Sequence, residues 1–312
     1  MTHTVLLGGS GFVGDALANE LAGRGGKVTI LCRNPASRRT ARAGADVRIA
    51  DPTSIDGLAA ELSGADVLVN LVGILNEKGF DGSGFRRAHV DVTANALAAC
   101  RAAGVERYVQ MSALRSGEGS SHYLKTKGEA DALVAASDLD WAIFRPSVIF
   151  GPADSFLNRF AGLVAVTPLL MPLACASSRF QPIYVGDVAD AFANLIDRRE
   201  CGKQTLDLGG PTTYTLKQLV QYVVALKGKR TAVLGLPGFL SLVQAYVMNL
   251  VPGKPFSTDN YRSLQLDSVT DNNALAQLGV DPTPLEAIAP TYIGNQQRVH
   301  RFDDARSRAG RD

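Results

Sequence analysis

Three glycines near the start of the chain restrict the fold more than any other feature of the sequence. In Val5–Gly25 (VLLGGSGFVGDALANELAGRG), small hydrophobic residues lead into Gly8, Gly11 and Gly14, and an apolar segment with helical periodicity follows. Glycines allow a tight turn from strand to helix and let the backbone approach a ligand without a Cβ in the way. The free N–H groups and the dipole at the helix start favour a pyrophosphate. The segment therefore predicts a dinucleotide-binding turn, the alternative being a purely structural one.

The first half of the chain alternates strand and helix patterns. Alternating βα units predict a parallel sheet covered by helices on both faces, and right-handed crossovers make it doubly wound. We therefore predict an α/β Rossmann domain over residues 1–152. Its predicted strands are Thr4–Leu7, Lys27–Arg33, Asp46–Ala50, Asp66–Gly73, Arg107–Ser112 and Asp140–Pro146, and its predicted helices are Gly11–Arg24, one from the Thr53/Ser54 caps, Phe85–Ala103 and His122–Ala136.

After Gly151 the pattern loosens, and prolines interrupt it. A predicted helix and a predicted strand (QTLDLGG) return residues 180–210 to the main sheet. The rest of 153–312 predicts a smaller, mainly helical substrate lobe over the carboxyl edge of the sheet. The four helices predicted in this half are Asp187–Arg199, Leu216–Lys227, Phe239–Leu250 and Asn272–Leu278. The tail from Arg298 carries five arginines, which predicts a flexible basic end or a segment that binds a membrane surface or a partner.

The composition excludes several classes of protein. The 312 residues are 46% hydrophobic and 20% charged with a net charge of +2, so we expect a globular protein and no nucleic-acid partner. The four cysteines lie far apart without a C-x-x-C pair, which predicts neither a metal site nor a disulfide framework. The N-terminal strand pattern is not that of a signal peptide. We expect a cytoplasmic protein, free or peripheral at the inner face of the membrane.

Two long segments carry no charged residue, Phe160–Ser178 and Thr231–Gly253. The second has the length of a membrane span, but Pro237, Gln244 and Asn249 interrupt it, which favours a buried or surface-lying amphipathic helix. In a lobe that covers a cleft, such segments predict an apolar pocket or a lipid-facing surface. The alternative is that they form the core of the small lobe.

The end of the second predicted strand indicates which dinucleotide binds. An NAD site usually has an acidic residue there, whereas this chain has Arg33, followed by Arg38, Arg39 and Arg42. A guanidinium holds a 2′-phosphate with two hydrogen bonds, where a carboxylate would repel it. We therefore predict NADP(H) as the preferred cofactor. If Arg33 only stacks over the adenine, the site would accept either NADP(H) or NAD(H).

A second motif, SHYLKTKGEA, indicates acid–base chemistry. Tyr123 and Lys127 are four residues apart on a predicted helix and so project from one face. A neighbouring ammonium and an oxidised nicotinamide favour the phenolate, which predicts a lowered pKa for Tyr123. Ser112, at the end of the preceding strand, is predicted to bind the substrate oxygen. These three are the predicted catalytic residues. The alternative is that the motif is an exposed amphipathic helix on which Tyr123 and Lys127 form an ordinary pair four residues apart.

These motifs together resemble the extended or atypical short-chain dehydrogenase/reductase superfamily, to which nucleotide-sugar epimerases and dehydratases belong. The likeness rests on GGSGFVG, NLVG, the Tyr-x-x-x-Lys pair, FRPSVIFGP, FQPIYVGDVADAF and TLDLGGPTTYT, which occur in the family's order over nearly the whole chain. NLVGILNE, MSAL before HYLKTKGEA, and SVIFGPADSFLNRFAGL are similar to a narrower group, the NADPH-binding accessory subunit of respiratory complex I and its bacterial relatives. Related members are linked to ubiquinone biosynthesis.

The resemblance implies a set of cofactor-binding residues in six places along the chain. They are Gly8, Ser10, Gly11, Phe12 and Val13 at the phosphates, Arg33 at the adenosine, Asp51 at the adenine amino group, Leu71, Val72 and Gly73 along the cofactor, Tyr123 and Lys127 at the ribose, and Pro146, Ser147 and Val148 at the nicotinamide.

The chain also departs from the family. Ser112 is followed by Ala113 where two hydroxyl residues are usual, and His89 takes a position that commonly holds asparagine. Three functions therefore stay open. The first is an NADP(H)-dependent oxidoreductase acting on an apolar, quinone-like substrate. The second is an NADPH-binding structural or assembly partner of a respiratory or quinone-biosynthetic complex, with little or no turnover. The third is a nucleotide-sugar epimerase or dehydratase.

Overall fold

A computed structural model of the chain describes residues 1–33, 44–167, 169–198, 200–251 and 254–294. The strands are β1 (His3–Leu7), β2 (Lys27–Cys32), β3 (Ala45–Ile49), β4 (Val67–Asn70), β5 (Arg107–Met111), β6 (Asp140–Pro146), β7 (Ile149–Phe150), β8 (Leu170–Leu173), β9 (Arg179–Phe180), β10 (Ile183–Tyr184), β11 (Gln204–Leu208), β12 (Tyr214–Thr215) and β13 (Ala232–Gly235). The helices are α1 (Phe12–Gly23), α2 (Ile55–Glu61), α3 (Ser83–Arg86), α4 (Val92–Ala103), α5 (His122–Ala135), α6 (Leu157–Val166), α7 (Val185–Asp197), α8 (Leu216–Leu226), α9 (Gly238–Met248), α10 (Thr258–Ser263) and α11 (Leu285–Ile293).

The main sheet has seven parallel strands in the order β11-β6-β5-β4-β1-β2-β3. This order confirms the predicted doubly wound Rossmann fold. Successive β1 residues point to opposite faces, so Leu6 packs in a core with α1 and α7, and Leu7 in a core with α2 and α4. The strand order reverses between β1 and β4. In open α/β sheets, ligands bind outside the carboxyl ends of the strands at such a switch point.

Short polar interactions set several element boundaries. Ser54 caps α2 by accepting a hydrogen bond from the N–H of Gly57, as the sequence predicts. Strand β4 ends earlier than predicted because the side chain of Asn70 accepts a hydrogen bond from the N–H of Val72 (3.1 Å) and turns the chain. The predicted helix Phe85–Ala103 is interrupted by a π-helical turn at Arg87–Asp91.

The smaller lobe has its own hydrophobic core, formed mainly by α6, α8 and α11. It also contains short strand pairs that the sequence does not predict, β8 with β13 and β9 with β12. The prediction of a lobe helix at Asn272–Leu278 is wrong. Only a 3₁₀ turn forms there (Ala276–Leu278), and Leu275 and Leu278 pack into the Rossmann core beside α7.

Two sequence predictions fall on parts of the chain outside the described residues, namely the basic tail from Arg298 and the cluster Arg38, Arg39 and Arg42. Within the described ranges, no helix combines the length and the apolar character needed to cross a membrane.

Candidate functional site

The turn from β1 to α1 forms the predicted cradle, and two of its glycines have no room for a side chain. Gly8 has a φ of +79°, and a Cβ on it would lie 3.0 Å from the side chain of Val72 and 3.2 Å from its nitrogen. A Cβ on Gly14 would lie 2.5 Å from two backbone atoms of Gly9. Gly8 thus brings the loops after β1 and β4 together, and Gly14 lets α1 start directly against the turn.

The third glycine, Gly11, keeps space open for a ligand at the start of α1 and is not required for close packing. Gly11 is exposed at the N-cap of α1, and the nearest atom to a Cβ there would be 3.6 Å away. The first N–H groups of a helix have no partner within it, and the helix dipole adds positive charge at this end. Ser10 is exposed, and Phe12 and Val13 are partly exposed beside this terminus. All five residues predicted for the phosphates therefore lie around one helix start.

Arg33 and Asp51 lie at the carboxyl ends of neighbouring strands, β2 and β3, and both are exposed. The N–H and hydroxyl of Thr53 donate to Asp51, at 2.9 and 2.8 Å, and lower the pKa of its carboxyl, with a smaller contribution from the charge of Arg33. The two side chains predicted for the adenosine end are thus within electrostatic reach of each other.

Tyr123 and Lys127 lie at the start of α5, which Ser121 caps through the N–H of Leu124. Lys127 is buried, and its Nζ donates to the carbonyl of Met111 (2.9 Å). A Cβ on Gly73 would lie 3.4 Å from this Nζ, so the loop after β4 passes over the lysine. The predicted pair and the predicted Leu71–Gly73 loop therefore meet at one edge of the sheet.

The electrostatics of the pair differ from the prediction. Burial lowers the pKa of Lys127 to about 8, against an opposing effect of the Asp131 carboxylate. Burial and the same carboxylate raise the pKa of Tyr123 to about 12. The predicted lowering of the tyrosine pKa is thus not a property of the protein alone, because desolvation and Asp131 favour the neutral phenol.

His89 belongs to this site, although the sequence marks it only as a departure from the family. The π-helical turn, a feature often found at functional sites, places its imidazole edge-on to the Tyr123 ring, with centroids 5.4 Å apart. Thr126 gives its own proton to a backbone carbonyl, so Nδ1 of His89 donates to the Thr126 hydroxyl (2.9 Å), and Nε2 accepts from the N–H of Ile74 (3.3 Å). Burial, with the charge of Lys127, lowers the His89 pKa to about 2, so the ring is neutral.

Ser112 does not offer its proton to the cleft. Its hydroxyl donates to Asp131 (2.9 Å), which also accepts from Ser116 (2.6 Å) and from two nitrogens of Arg145 (3.0 and 3.1 Å). The predicted role of Ser112 as a donor to the substrate oxygen therefore conflicts with these hydrogen bonds. Sequence reasoning missed Asp131, although it lies one helical turn beyond Lys127 on the same face.

The segment predicted for the nicotinamide, Pro146–Val148, connects β6 to the lobe. Pro146 and Ser147 are buried and Val148 is half-buried. The hydroxyl of Ser147 donates to the carbonyl of Ser268 (2.6 Å) and accepts from the N–H of Gln181 (3.2 Å). This loop is therefore held in place by the lobe, through a contact that the sequence does not reveal.

A cleft beside Tyr123 lies between the loop before α3 and the connection from α9 to α10, and Phe85, His122 and Asn249 line it. Lys254 joins its two sides, since its Nζ donates to the carbonyls of Lys78 (2.9 Å) and Gly79 (2.8 Å) and lies 3.7 Å from the centre of the Phe80 ring. The Asp259 carboxylate accepts from the N–H groups of His122 (2.6 Å) and Tyr123 (3.1 Å). Neither Lys254 nor Asp259 is predicted from the sequence.

Comparison with known proteins supports a nicotinamide site. A family profile described as NAD(P)H-binding matches residues 8–154. NADH dehydrogenase (ubiquinone) 1 alpha subcomplex subunit 9 of Rattus norvegicus is 30% identical over 310 residues, which cover 95% of this chain and 81% of that protein. A ceramide reductase of Caulobacter vibrioides is 28% identical over 237 residues, covering 74% of this chain and 73% of the reductase.

Solved structures agree with the fold. A dTDP-glucose 4,6-dehydratase from Streptomyces venezuelae, crystallised with NAD, superposes with a TM-score of 0.71 at 18% identity, covering 93% of this chain and 95% of that one. At this identity the likeness extends to the fold alone.

Proposed function

The chain belongs to the atypical short-chain dehydrogenase/reductase family of NAD(P)-binding proteins, as does the complex I subunit that it resembles, and from this premise we propose that it is an NADP(H)-dependent reductase of an apolar carbonyl compound. The observation that carries the proposal is the half-buried Tyr123 with the buried Lys127 beside Gly73, at the carboxyl edge of the sheet.

The raised tyrosine pKa favours the reducing direction. A phenol with a pKa of about 12 keeps its proton at neutral pH, so Tyr123 is suited to give a proton to a carbonyl oxygen. A bound nicotinamide supplies the hydride. Lys127 is held by the Met111 carbonyl within reach of the loop that would carry the cofactor ribose. Ser112 then acts through Asp131 as a positioning residue for α5, and no longer as the donor to the substrate.

Preference for NADP(H) is the second part of the proposal, and Arg33 supports it. Arg33 directly follows β2, where an NAD site usually has a carboxylate, and the nearby carboxylate, Asp51, follows the neighbouring strand β3. We expect Arg33→Ala to weaken NADPH binding about tenfold or more and to change NADH binding little. Fluorescence titration with both cofactors measures this. Equal losses for the two cofactors would refute the phosphate contact.

Turnover is tested with the purified protein, NADPH, and a panel of quinones and long-chain ketones. We expect Tyr123→Phe to abolish NADPH oxidation and to leave NADPH affinity within about threefold, because the phenol hydroxyl is the proton donor. Tyr246→Phe is the matched control, since Tyr246 is an exposed tyrosine on α9. Equal rates for the Tyr123→Phe variant and the unmodified protein would contradict the assigned role.

A second candidate function is an NADPH-binding partner of a respiratory complex, without turnover. Two observations favour it: the Ser112 proton is directed at Asp131, and several curated relatives are named as subunits of NADH dehydrogenase. Tight NADPH binding, no oxidation by any member of the panel, and co-sedimentation with solubilised NADH:ubiquinone oxidoreductase would support this candidate over the reductase. Saturable binding of a nucleoside-diphosphate sugar would instead favour the nucleotide-sugar enzymes.

A further inference from the structure

Helix α9 exposes its apolar side chains and buries its small ones. Phe239 is 70% exposed, Tyr246 60%, and Leu250, just past its end, 83%, whereas Ser241 and Ala245 are buried. This orientation is fixed by hydrogen bonds. The Ser241 hydroxyl accepts from the N–H of Cys175 (3.2 Å), and the amide of Gln244 donates to the carbonyl of Pro172 (3.1 Å). The apolar side of α9 is therefore its outer side.

The neighbouring elements extend this apolar side. Leu170 of β8 and Leu234 of β13 are exposed on adjacent, paired strands, and Val166 is exposed at the end of α6. The apolar face, as we define it, holds 13 of the 19 large hydrophobic side chains exposed among the described residues. Its members are Leu163, Val166, Leu169, Leu170, Leu234, Phe239, Leu240, Leu242, Val243, Tyr246, Val247, Leu250 and Val251. Such a concentration exceeds what an ordinary solvated surface carries.

The two stretches of chain that build the apolar face carry charges of one sign. No acidic residue occurs between Asp154 and Asp187 or between Asp207 and Asp259, the two stretches that build the face, while these stretches contain seven lysines and arginines. Lys229 and Arg230 are exposed directly before β13. Backbone pairing of Ala232 with Leu169 (2.8 Å) brings them beside the exposed leucines.

We propose that the apolar face docks on the surface of an anionic lipid bilayer, with α9 lying in the plane of the interface. Exposed apolar side chains on stretches of chain that carry cations and no carboxylates match a layer of negatively charged headgroups over hydrocarbon. With 11 residues, α9 is about 16 Å long, half of the roughly 30 Å hydrocarbon core, so it lies on the bilayer. Asn249, which ends α9, also lines the cleft beside Tyr123, so docking places the cleft next to the membrane surface.

The test is vesicle flotation of the full chain, with vesicles of phosphatidylcholine alone and of phosphatidylcholine mixed with phosphatidylglycerol. We expect binding to the mixed vesicles that weakens with salt. The double substitution Phe239→Asp/Val243→Asp should weaken this binding about tenfold or more, and Lys229→Ala/Arg230→Ala should remove the preference for the anionic lipid. Leu133→Asp, on an exposed apolar residue of α5, is the control and should bind like the unmodified chain.

A conservative variant tests the proposal even if the double substitutions prevent folding. The single tryptophan of the chain, Trp141, is largely buried, so Tyr246→Trp provides a reporter on α9 whose emission should shift to the blue when mixed vesicles are added. NADPH titration of each variant keeps this proposal distinct from the proposed function, because docking should leave cofactor affinity unchanged. Absence of binding, absence of the emission shift, or a dimer in solution that Phe239→Asp/Val243→Asp dissociates would overturn the proposal. The last outcome would assign the face to a second copy of the chain.

Discussion

Replacing Gly14 by alanine tests whether the glycine cradle controls both folding and cofactor binding. The new Cβ would lie 2.5 Å from the carbonyl carbon and Cα of Gly9, about 1 Å closer than ordinary van der Waals contact. Gly9 cannot move away from the new Cβ, because Gly9 is buried and lies close to Leu6 and Ile30. Helix α1 must therefore move away from the turn.

Two consequences follow from that movement. Overpacking of this kind costs about 1–3 kcal/mol in the free energy of unfolding, which lowers the melting temperature of a protein of this size by several degrees. A displacement of about 1 Å also moves the N–H groups that would face the pyrophosphate, and we expect NADPH affinity to fall about tenfold to hundredfold. The measurements are thermal unfolding and fluorescence titration with NADPH.

Gly23→Ala is the matched control on the same helix. No atom lies within 4 Å of a Cβ at Gly23, which is the last residue of α1. Alanine is the better helix former, so this variant should gain about 0.5–1 kcal/mol of stability and keep its NADPH affinity. A Gly14→Ala variant with the same melting temperature and NADPH affinity as Gly23→Ala would refute this prediction.

The remaining predictions concern the buried polar groups around Tyr123. The pKa of Lys127 is lowered from 10.5 to about 8, so the unfolded chain binds more protons between these pH values, and stability rises with pH across that window. Denaturant titrations should therefore show that Lys127→Met raises the free energy of unfolding by about 3 kcal/mol at pH 7 and that this gain disappears by pH 10.5. A difference between the two proteins that does not change with pH would contradict this prediction. Nitrogen NMR of His89 should show a neutral ring protonated on Nδ1 from about pH 5 to 8, whereas a midpoint near pH 6.5 would refute the burial argument. Asp131→Asn should lower the free energy of unfolding by about 2–3 kcal/mol, because Arg145 loses its charged acceptor, and a loss no larger than that of Ser116→Ala would argue against the ion pair.

The Rossmann half of the fold is predictable because its signals are local. Strands such as β4 and β6 carry apolar runs, and caps such as Ser54 mark helix starts, so most predicted boundaries lie within three residues of those in the structure. The short strands outside the main sheet lack such signals. Strands of two residues, such as β7 and β10, have no periodicity to detect, and their pairing depends on contacts with distant parts of the chain.

The residues of the site divide in the same way, into those that local motifs predict and those that long-range contacts bring together. Gly8, Gly14, Tyr123 and Lys127 follow from short motifs whose geometry is fixed within one turn or one helix. Asp259, by contrast, binds the start of α5 from 137 positions away, and no pattern in the sequence links these two segments. Long-range contacts of this kind determine the shape of the cleft, so the motifs alone do not predict which ligand the cleft would fit.

The tyrosine shows why a motif alone misjudges electrostatics. Spacing of four residues puts Tyr123 and Lys127 on one face, and a cation on that face argues for a phenolate. In the structure the ammonium is directed at the Met111 carbonyl, while Asp131, a further turn along, contributes a negative charge in the same buried region. Desolvation disfavours the phenolate as well, so both effects act in one direction and keep the proton on Tyr123. The neutral phenol suits the proton-donor role proposed for Tyr123, and in that proposal a lowering of its pKa would require a positive charge from the cofactor.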